Sequence, residues 1–269
     1  QQIFGSDPSV MAEAARIVEE RFHPDGIDIN MGCPVYNIVS NFNGAALIKD
    51  PDRAAKIVEA VKDAVSVPVS VKTRLGWNDK VECMNFVKLM EDAGVDCVSI
   101  HGRTKEQGYS GKADWIAVGN ARNQVPNLPF LVNGDITTIE NARIALEQSG
   151  ADGVLIGRGA LGNPWIFDAL RTRESRTISI EERCVVVKKH AQFHVEHYGE
   201  SGLIKLRKHL PWYFKGLNGW KTLRSKLVRV STMKELEECL TLTLPALEEN
   251  FLDSQESPPD ALQNANEAR

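Results

Sequence analysis

Cys33 is the residue with the clearest capacity for chemistry. It follows the strand-like run Ile27-Asp28-Ile29-Asn30; Gly32 allows a tight backbone path and Pro34 stops its continuation. In an α/β barrel the carboxyl end of a strand is where reactive groups are displayed, whereas a small buried hydrophobe is the other common fate of a free cysteine. Asp28, inside the same run, reads as a structural or positioning carboxylate. Lys72 closes the run Val69-Ser70-Val71 and should point into a barrel mouth, where a fixed ammonium could stabilise negative charge on a cofactor; a lysine exposed at a strand terminus is the alternative. His101 reads either as a phosphate donor or as a satisfied rim histidine. Asn133-Gly134-Asp135 and Gly157-Arg158-Gly159 follow the last two strand-like runs. There, glycines let backbone amides approach a phosphate and Arg158 adds a charged donor, unless the glycines only make tight turns.

These groups need a scaffold that brings strand ends together. Strand-like runs at 26–32, 68–74, 97–103, 129–135 and 153–158, with a first one at 1–5, alternate with helical patterns near 8–18, 51–65, 80–93, 114–123 and 137–148. Short apolar strands alternating with amphipathic helices predict an all-parallel sheet covered on both faces. The fold class expected is α/β, a TIM (β/α)8-type barrel with six of the eight units present, followed by a small C-terminal helical bundle. Two βα units, about 60 residues at typical unit length, are expected ahead of Gln1. A doubly wound sheet is disfavoured because no GxGxxG turn occurs. The domains expected are a barrel over 1–176, helices at 180–198, 203–217, 220–230 and 233–250 within a domain over 177–250, and a disordered tail over 251–269.

Composition narrows the setting. The chain has 269 residues, 42% of them hydrophobic, enough for a barrel-sized core plus an accessory domain. No apolar run approaches about 18 residues, which argues against a membrane span. Five widely spaced cysteines without a CxxC pair point to a reducing cytoplasm and away from a disulfide framework or zinc site. Residues 203–232 carry eight Lys/Arg and no Asp/Glu, and residues 233–269 carry nine acidic residues against two basic ones. In the basic stretch Lys205, Arg207 and Lys208 interleave with aromatics, a pattern that suits a phosphate backbone, although a solvated helix face is the default for any charge run.

Together these segments resemble the tRNA-dihydrouridine synthases, particularly the DusB-like branch. The resemblance rests on Gln2-Ile3-Phe4-Gly5-Ser6-Asp7-Pro8, Asp28-Ile29-Asn30-Met31-Gly32-Cys33-Pro34, Val71-Lys72-Thr73-Arg74, Ile100-His101-Gly102-Arg103-Thr104, Asn133-Gly134-Asp135, Gly157-Arg158 and Arg207-Lys208-His209. It implies an oxidoreductase that reduces uridine in tRNA to 5,6-dihydrouridine, with FMN as cofactor and NADPH as reductant, working as a cytoplasmic monomer without metal. Carried over residue by residue, it implies that Gln2, Lys72, His101, Asn133, Gly134, Asp135, Gly157 and Arg158 hold FMN. Cys33 would be the proton donor, and Asn30, Arg103, Lys205, Arg207 and Lys208 would meet the RNA substrate. For Cys33 to keep its proton it should avoid a cationic neighbourhood. The loop 35–44 lacks the Lys and Arg that many members carry. A flavin reductase of a free pyrimidine and a non-catalytic tRNA-binding protein are the competing readings.

Overall fold

The computed structural model describes residues 1–217 and 219–242; the tail 251–269 and the end of the expected helix 233–250 lie outside the described residues. The chain forms two compact units, Gln1–Gly159 and the residues from Ala160 onward.

The first unit is built on six parallel strands, β1 (Gln2–Ile3), β2 (Ile27–Asn30), β3 (Val69–Arg74), β4 (Cys97–His101), β5 (Phe130–Asn133) and β6 (Gly153–Leu155), each paired with the next in chain order. Helices α1 (Pro8–Phe22), α3 (Pro51–Ala64), α4 (Glu82–Asp92), α5 (Trp115–Arg122) and α6 (Ile139–Ser149) make the crossovers, and a short α2 (Tyr36–Val39) lies in the turn after Cys33. Sequential parallel strands with helical crossovers are the wall of a TIM-barrel-like fold.

Sequence chemistry explains the crossovers. In α3, Asp50 accepts a hydrogen bond from Arg53 N at 3.2 Å, Pro51 occupies the first turn, and Ala54, Ile57, Val58 and Val61 form the buried stripe. Each buried Ile or Val there contributes about 1.5–3 kcal/mol. In α6 the Thr138 hydroxyl caps Asn141 N at 3.0 Å, and Gly150 ends the helix at φ 61°.

The strands are less uniformly apolar than their sequences suggest. Ile27, Ile29, Val69, Val71, Val98, Ile100, Phe130 and Val132 are buried, while Asp28, Asn30, Ser70, Lys72 and Asn133 alternate with them on the opposite, polar face. Register makes this face a set of layers. Asn30 lies level with Lys72, Arg74 with His101, and His101 with Asn133.

The second unit contains α7 (Trp165–Thr172), α8 (Ile180–Tyr198), α9 (Gly202–Leu206), α10 (Trp220–Leu227) and a helical stretch over 233–242. Trp165 packs against its core, so the unit begins upstream of residue 177. The expected single helix over 203–217 is replaced by α9, a turn, and a 3-10 helix Leu210–Phe214. Pro211 explains the break, because it has no N–H to donate to Arg207 O and its ring crowds that carbonyl. Leu203, Leu206, Leu210, Phe214, Leu223 and Leu227 nevertheless share one core with Val187 and Ala191 of α8.

Candidate active site at the carboxyl ends of the strands

The turn carrying Cys33 is held from several sides. Asn30 Oδ1 accepts from Gly32 N at 3.1 Å and Cys33 N at 3.0 Å, while Asn30 Nδ2 donates to Gln2 Oε1 at 3.0 Å. Gln2 Nε2 donates to Asp28 Oδ2 at 2.5 Å, and Ser70 Oγ donates to Asp28 Oδ1 at 2.7 Å. Asp28 is thereby a positioning carboxylate with both oxygens engaged. On the other side Ala45 N donates to Cys33 O at 3.1 Å. Gly44, at φ +58°, fits because a Cβ there would lie 2.9 Å from Cys33 O.

Arg74 is the nearest bracket from the neighbouring strand. Its Nε donates to Gly32 O at 2.7 Å and its Nη1 to Thr104 O at 3.1 Å and Gly108 O at 2.9 Å. The neighbourhood of Cys33 therefore contains a guanidinium, contrary to the expectation of a cation-free setting, but these donors are committed to backbone carbonyls. The carbonyls satisfy the donors of Arg74, while its full positive charge remains in the site and acts on Lys72 and His101. Nothing in the spacing singled out Arg74, since its partners lie in a turn 30 or more residues away.

Further along the rim, Lys72 Nζ reaches Asn133 Oδ1 at 3.3 Å, and Asn133 Nδ2 donates to Leu155 O at 2.7 Å. Among the described residues Lys72 forms no ion pair; burial and then the Arg74 charge push its pKa below the ordinary lysine value, with Asp28 opposing. A largely desolvated ammonium with one long hydrogen bond has donor capacity left for an electron-rich ligand.

His101 is held differently. Arg103 Nη1 lies 3.2 Å from His101 Nε2, and because arginine only donates, Nε2 must accept and the ring proton sits on Nδ1. Burial first, then the charges of Arg74, Lys72 and Arg103, lower the His101 pKa to about 3, so the ring is an uncharged donor at neutral pH. Arg103 itself is 2% exposed, with Nε on Ser110 O at 3.1 Å and Nη2 on Gly111 O and Asp135 Oδ2, both at 2.6 Å. Its donors knit the loop after β4 together and face no open space.

Asp135 Oδ2 also accepts from Ala113 N at 2.8 Å, and its other oxygen lies 3.5 Å from Arg158 Nη2. Gly134 needs its φ of +112°, and a Cβ there would fall 2.6 Å from His101 Cδ2. Gly157 borders open space, and the Arg158 side chain is 59% exposed. Tyr109, 61% exposed, completes the rim: its ring centroid lies 4.6 Å from the Arg158 guanidinium carbon, 5.7 Å from that of Arg74 and 6.2 Å from the His101 ring. The sequence offered no pattern for Tyr109, an isolated aromatic in a polar loop.

The family model for dihydrouridine synthase (Dus) matches residues 1–254. The chain belongs to the dihydrouridine synthase family. It is 43% identical over 223 residues to a probable tRNA-dihydrouridine synthase of Rickettsia bellii, covering 80% of this chain and 68% of that protein. It is 38% identical over 245 residues to a probable tRNA-dihydrouridine synthase 1 of Synechocystis, covering 89% and 68%. With the tRNA-dihydrouridine synthase B of Pasteurella multocida it shares 36% identity over 260 residues, covering 93% and 78%.

In this dihydrouridine synthase the cations of the second unit are not equivalent. Lys205 and Lys208 are exposed, the former with its ammonium 4.5 Å from the Tyr198 ring centroid. Arg207 instead donates to Val230 O at 2.5 Å and to Arg229 O at 3.0 Å, closing the turn before residue 233. Among the described residues no helix is long and apolar enough to cross a membrane, and no group of three or more His, Cys, Asp or Glu could hold a metal ion.

Proposed function

We propose that this chain reduces the C5–C6 bond of uridine in tRNA, with FMN as its cofactor and NADPH as the reductant. The observation that carries the reading is the juxtaposition, on one rim of a Dus-family barrel wall, of the braced Cys33 turn with an under-coordinated Lys72 ammonium.

The donor set suits a flavin mononucleotide. Lys72 and the His101 Nδ1–H offer hydrogen bonds without a bound carboxylate in the way, Asn133 fixes Lys72, and the open backbone at Gly157 beside the exposed Arg158 suits a phosphate. Gly134 permits the close packing that seats His101, and Asp135 holds Arg103 and Arg158 in place. Gln2 acts through Asp28 and Asn30. When bound, FMN supplies the hydride that C6 of the uracil receives, and NADPH restores it.

The chain's own residues handle the proton. Cys33 Sγ holds it and delivers it to C5, where negative charge gathers as C6 gains hydride. Asn30 keeps the thiol in place through the two amides it accepts, and Arg74 holds the same turn from β3. A stacked uridine must leave its stack to reach this turn. Lys205 and Lys208 provide sequence-independent attraction for tRNA phosphates, whereas Arg103 and Arg207 act as positioning residues.

The test is Cys33→Ala assayed on unmodified tRNA with NADPH. The variant should retain the bound-flavin absorbance of the wild type while uridine reduction falls about 100-fold. An unchanged reduction rate removes Cys33 as proton donor, and a wild-type chain that takes up no flavin from excess FMN removes the cofactor assignment.

A further inference from the structure

The turn after Cys33 has no Lys or Arg between residues 34 and 44, so the cations nearest to it along the chain come later. Two of them converge on one aromatic ring. Lys49 Nζ lies 3.7 Å and Lys105 Nζ 4.3 Å from the Trp77 ring centroid. Lys49 ends the 3-10 helix Gly44–Lys49, whose second residue, Ala45, is hydrogen-bonded to Cys33 O. Trp77 and Lys105 come from the loops after β3 and β4, which are zipped together by Leu75 N to Arg103 O, Lys105 N to Gly76 O and Glu106 N to Trp77 O. The same pair of loops is tied to the Cys33 turn by Arg74, which bridges Gly32 O and Thr104 O. The cluster is thus anchored to Cys33 from both sides.

Its positive charge is only partly compensated, since the Glu82 carboxylate accepts from Trp77 N and Lys105 has a carboxylate beside it. Lys49 is exposed and, among the described residues, makes no ion pair; Lys105 is paired at 2.9 Å with Glu106 of its own loop, a carboxylate 54% exposed. A cation–π contact extends and orders a lysine without using up its three N–H donors. The ring therefore preorganises two ammonium groups at about the cost of one rigid anchor. Because both sit on the ring, Trp77 is a holder of cations more than a stacking platform for a base.

We propose that Lys49 and Lys105, held by Trp77, bind the two phosphodiesters of the RNA strand that flank the nucleotide reaching Cys33. The inference rests on the reading of the chain as an enzyme acting on tRNA. A nucleotide drawn toward the rim brings its flanking phosphates over the loops that surround the thiol, where these two cations stand. Lys49 and Lys105 belong to the first unit, Lys205 and Lys208 to the second, so the site would give the first unit its own hold on RNA.

The experiment measures tRNA affinity of the full chain with Lys49→Met and Lys105→Met combined, a change that keeps the apolar stems on Trp77 and removes both charges. Matched far-ultraviolet circular dichroism and melting curves check the fold. Two lost phosphate contacts should weaken binding about 10-fold near physiological salt and reduce the slope of log K against log salt by about 1.4. Trp77 fluorescence, isolated by difference against Trp77→Phe, should respond to tRNA in the wild type and lose that response in the double variant. Unchanged affinity and slope, with both falling in Lys205→Met/Lys208→Met, would place all RNA contact in the second unit and overturn the proposal. A raised KM for NADPH with unaltered tRNA binding would assign the cations to the dinucleotide and overturn it as well. A wild-type chain with no salt-dependent affinity for tRNA would instead defeat the functional reading on which the proposal stands.

Discussion

Asn30→Ala isolates how much of the active turn depends on one side chain. Asn30 Oδ1 takes the amides of Gly32 and Cys33 at 3.1 and 3.0 Å, both in partly buried positions, and its Nδ2 reaches Gln2 at 3.0 Å. Alanine leaves two amides without their acceptor. Each such bond contributes about 1 kcal/mol net, and the exposed bond to Gln2 adds roughly 0.5, so the loss comes to about 2–3 kcal/mol. For a unit of this size that corresponds to a fall in melting temperature of about 5–10 °C. Loosening the thiol should cost more in turnover than in stability, on the order of 100-fold if the sulfur strays by about 1 Å. Asn30→Asp keeps the acceptor for the two amides but sets a charged oxygen against Gln2 Oε1, so its turn should remain formed while the link to Gln2 is lost. Thermal melts and NADPH-driven reduction of unmodified tRNA, run on both variants, test the argument. An alanine variant that melts within about 1 °C of wild type and turns over normally would refute it, because the two amides would then be satisfied without Asn30.

Two further perturbations follow from the same rim. Gly134→Ala combines φ +112° with a Cβ 2.6 Å from His101 Cδ2, and should cost about 2–4 kcal/mol and weaken FMN binding, measured by urea denaturation and flavin titration; a loss below about 1 kcal/mol would show that the loop relaxes freely. His101 titrates in the unfolded chain near 6.5 but in the fold only near 3, so its contribution is complete above about pH 6.5 and is lost progressively as the pH falls toward 3. At about 1.4 kcal/mol per pH unit, the wild type should lose roughly 3 kcal/mol more than His101→Asn between pH 7 and 4, and equal losses in both proteins would mean that His101 is not held neutral.

The outline of the fold was legible in the sequence because its signals are local. Asp50-Pro51 before the Ala54, Ile57, Val58 and Val61 stripe, and Thr138 before α6 with Gly150 after it, mark helices by capping and spacing alone. The parallel sheet in chain order follows from apolar runs alternating with those helices. Two features escaped for physical reasons. The polar face carrying Asp28, Ser70 and Lys72 was hidden because strands of four to six residues alternate too briefly for period two to stand out. The segment 203–217 kept helical spacing of its leucines, which a 3-10 turn at Pro211 satisfies as well as a continuous helix.

The sequence by itself determined which groups are available: one thiol in a tight turn, a lysine and a histidine at strand ends, two glycine-bearing loops and a strongly basic stretch. Only the tertiary structure decided what each can do. Parallel register set Asn30 level with Lys72 and His101 level with Asn133, and residues up to 61 apart in sequence became hydrogen-bond partners. Packing then divided charges of the same chemical type. Arg74 is spent on backbone carbonyls and Arg103 on carbonyls, His101 and Asp135, while Arg158 remains open to solvent. A local pattern reports only what a residue type is capable of; whether its donors are already satisfied depends on chain segments brought alongside by the fold.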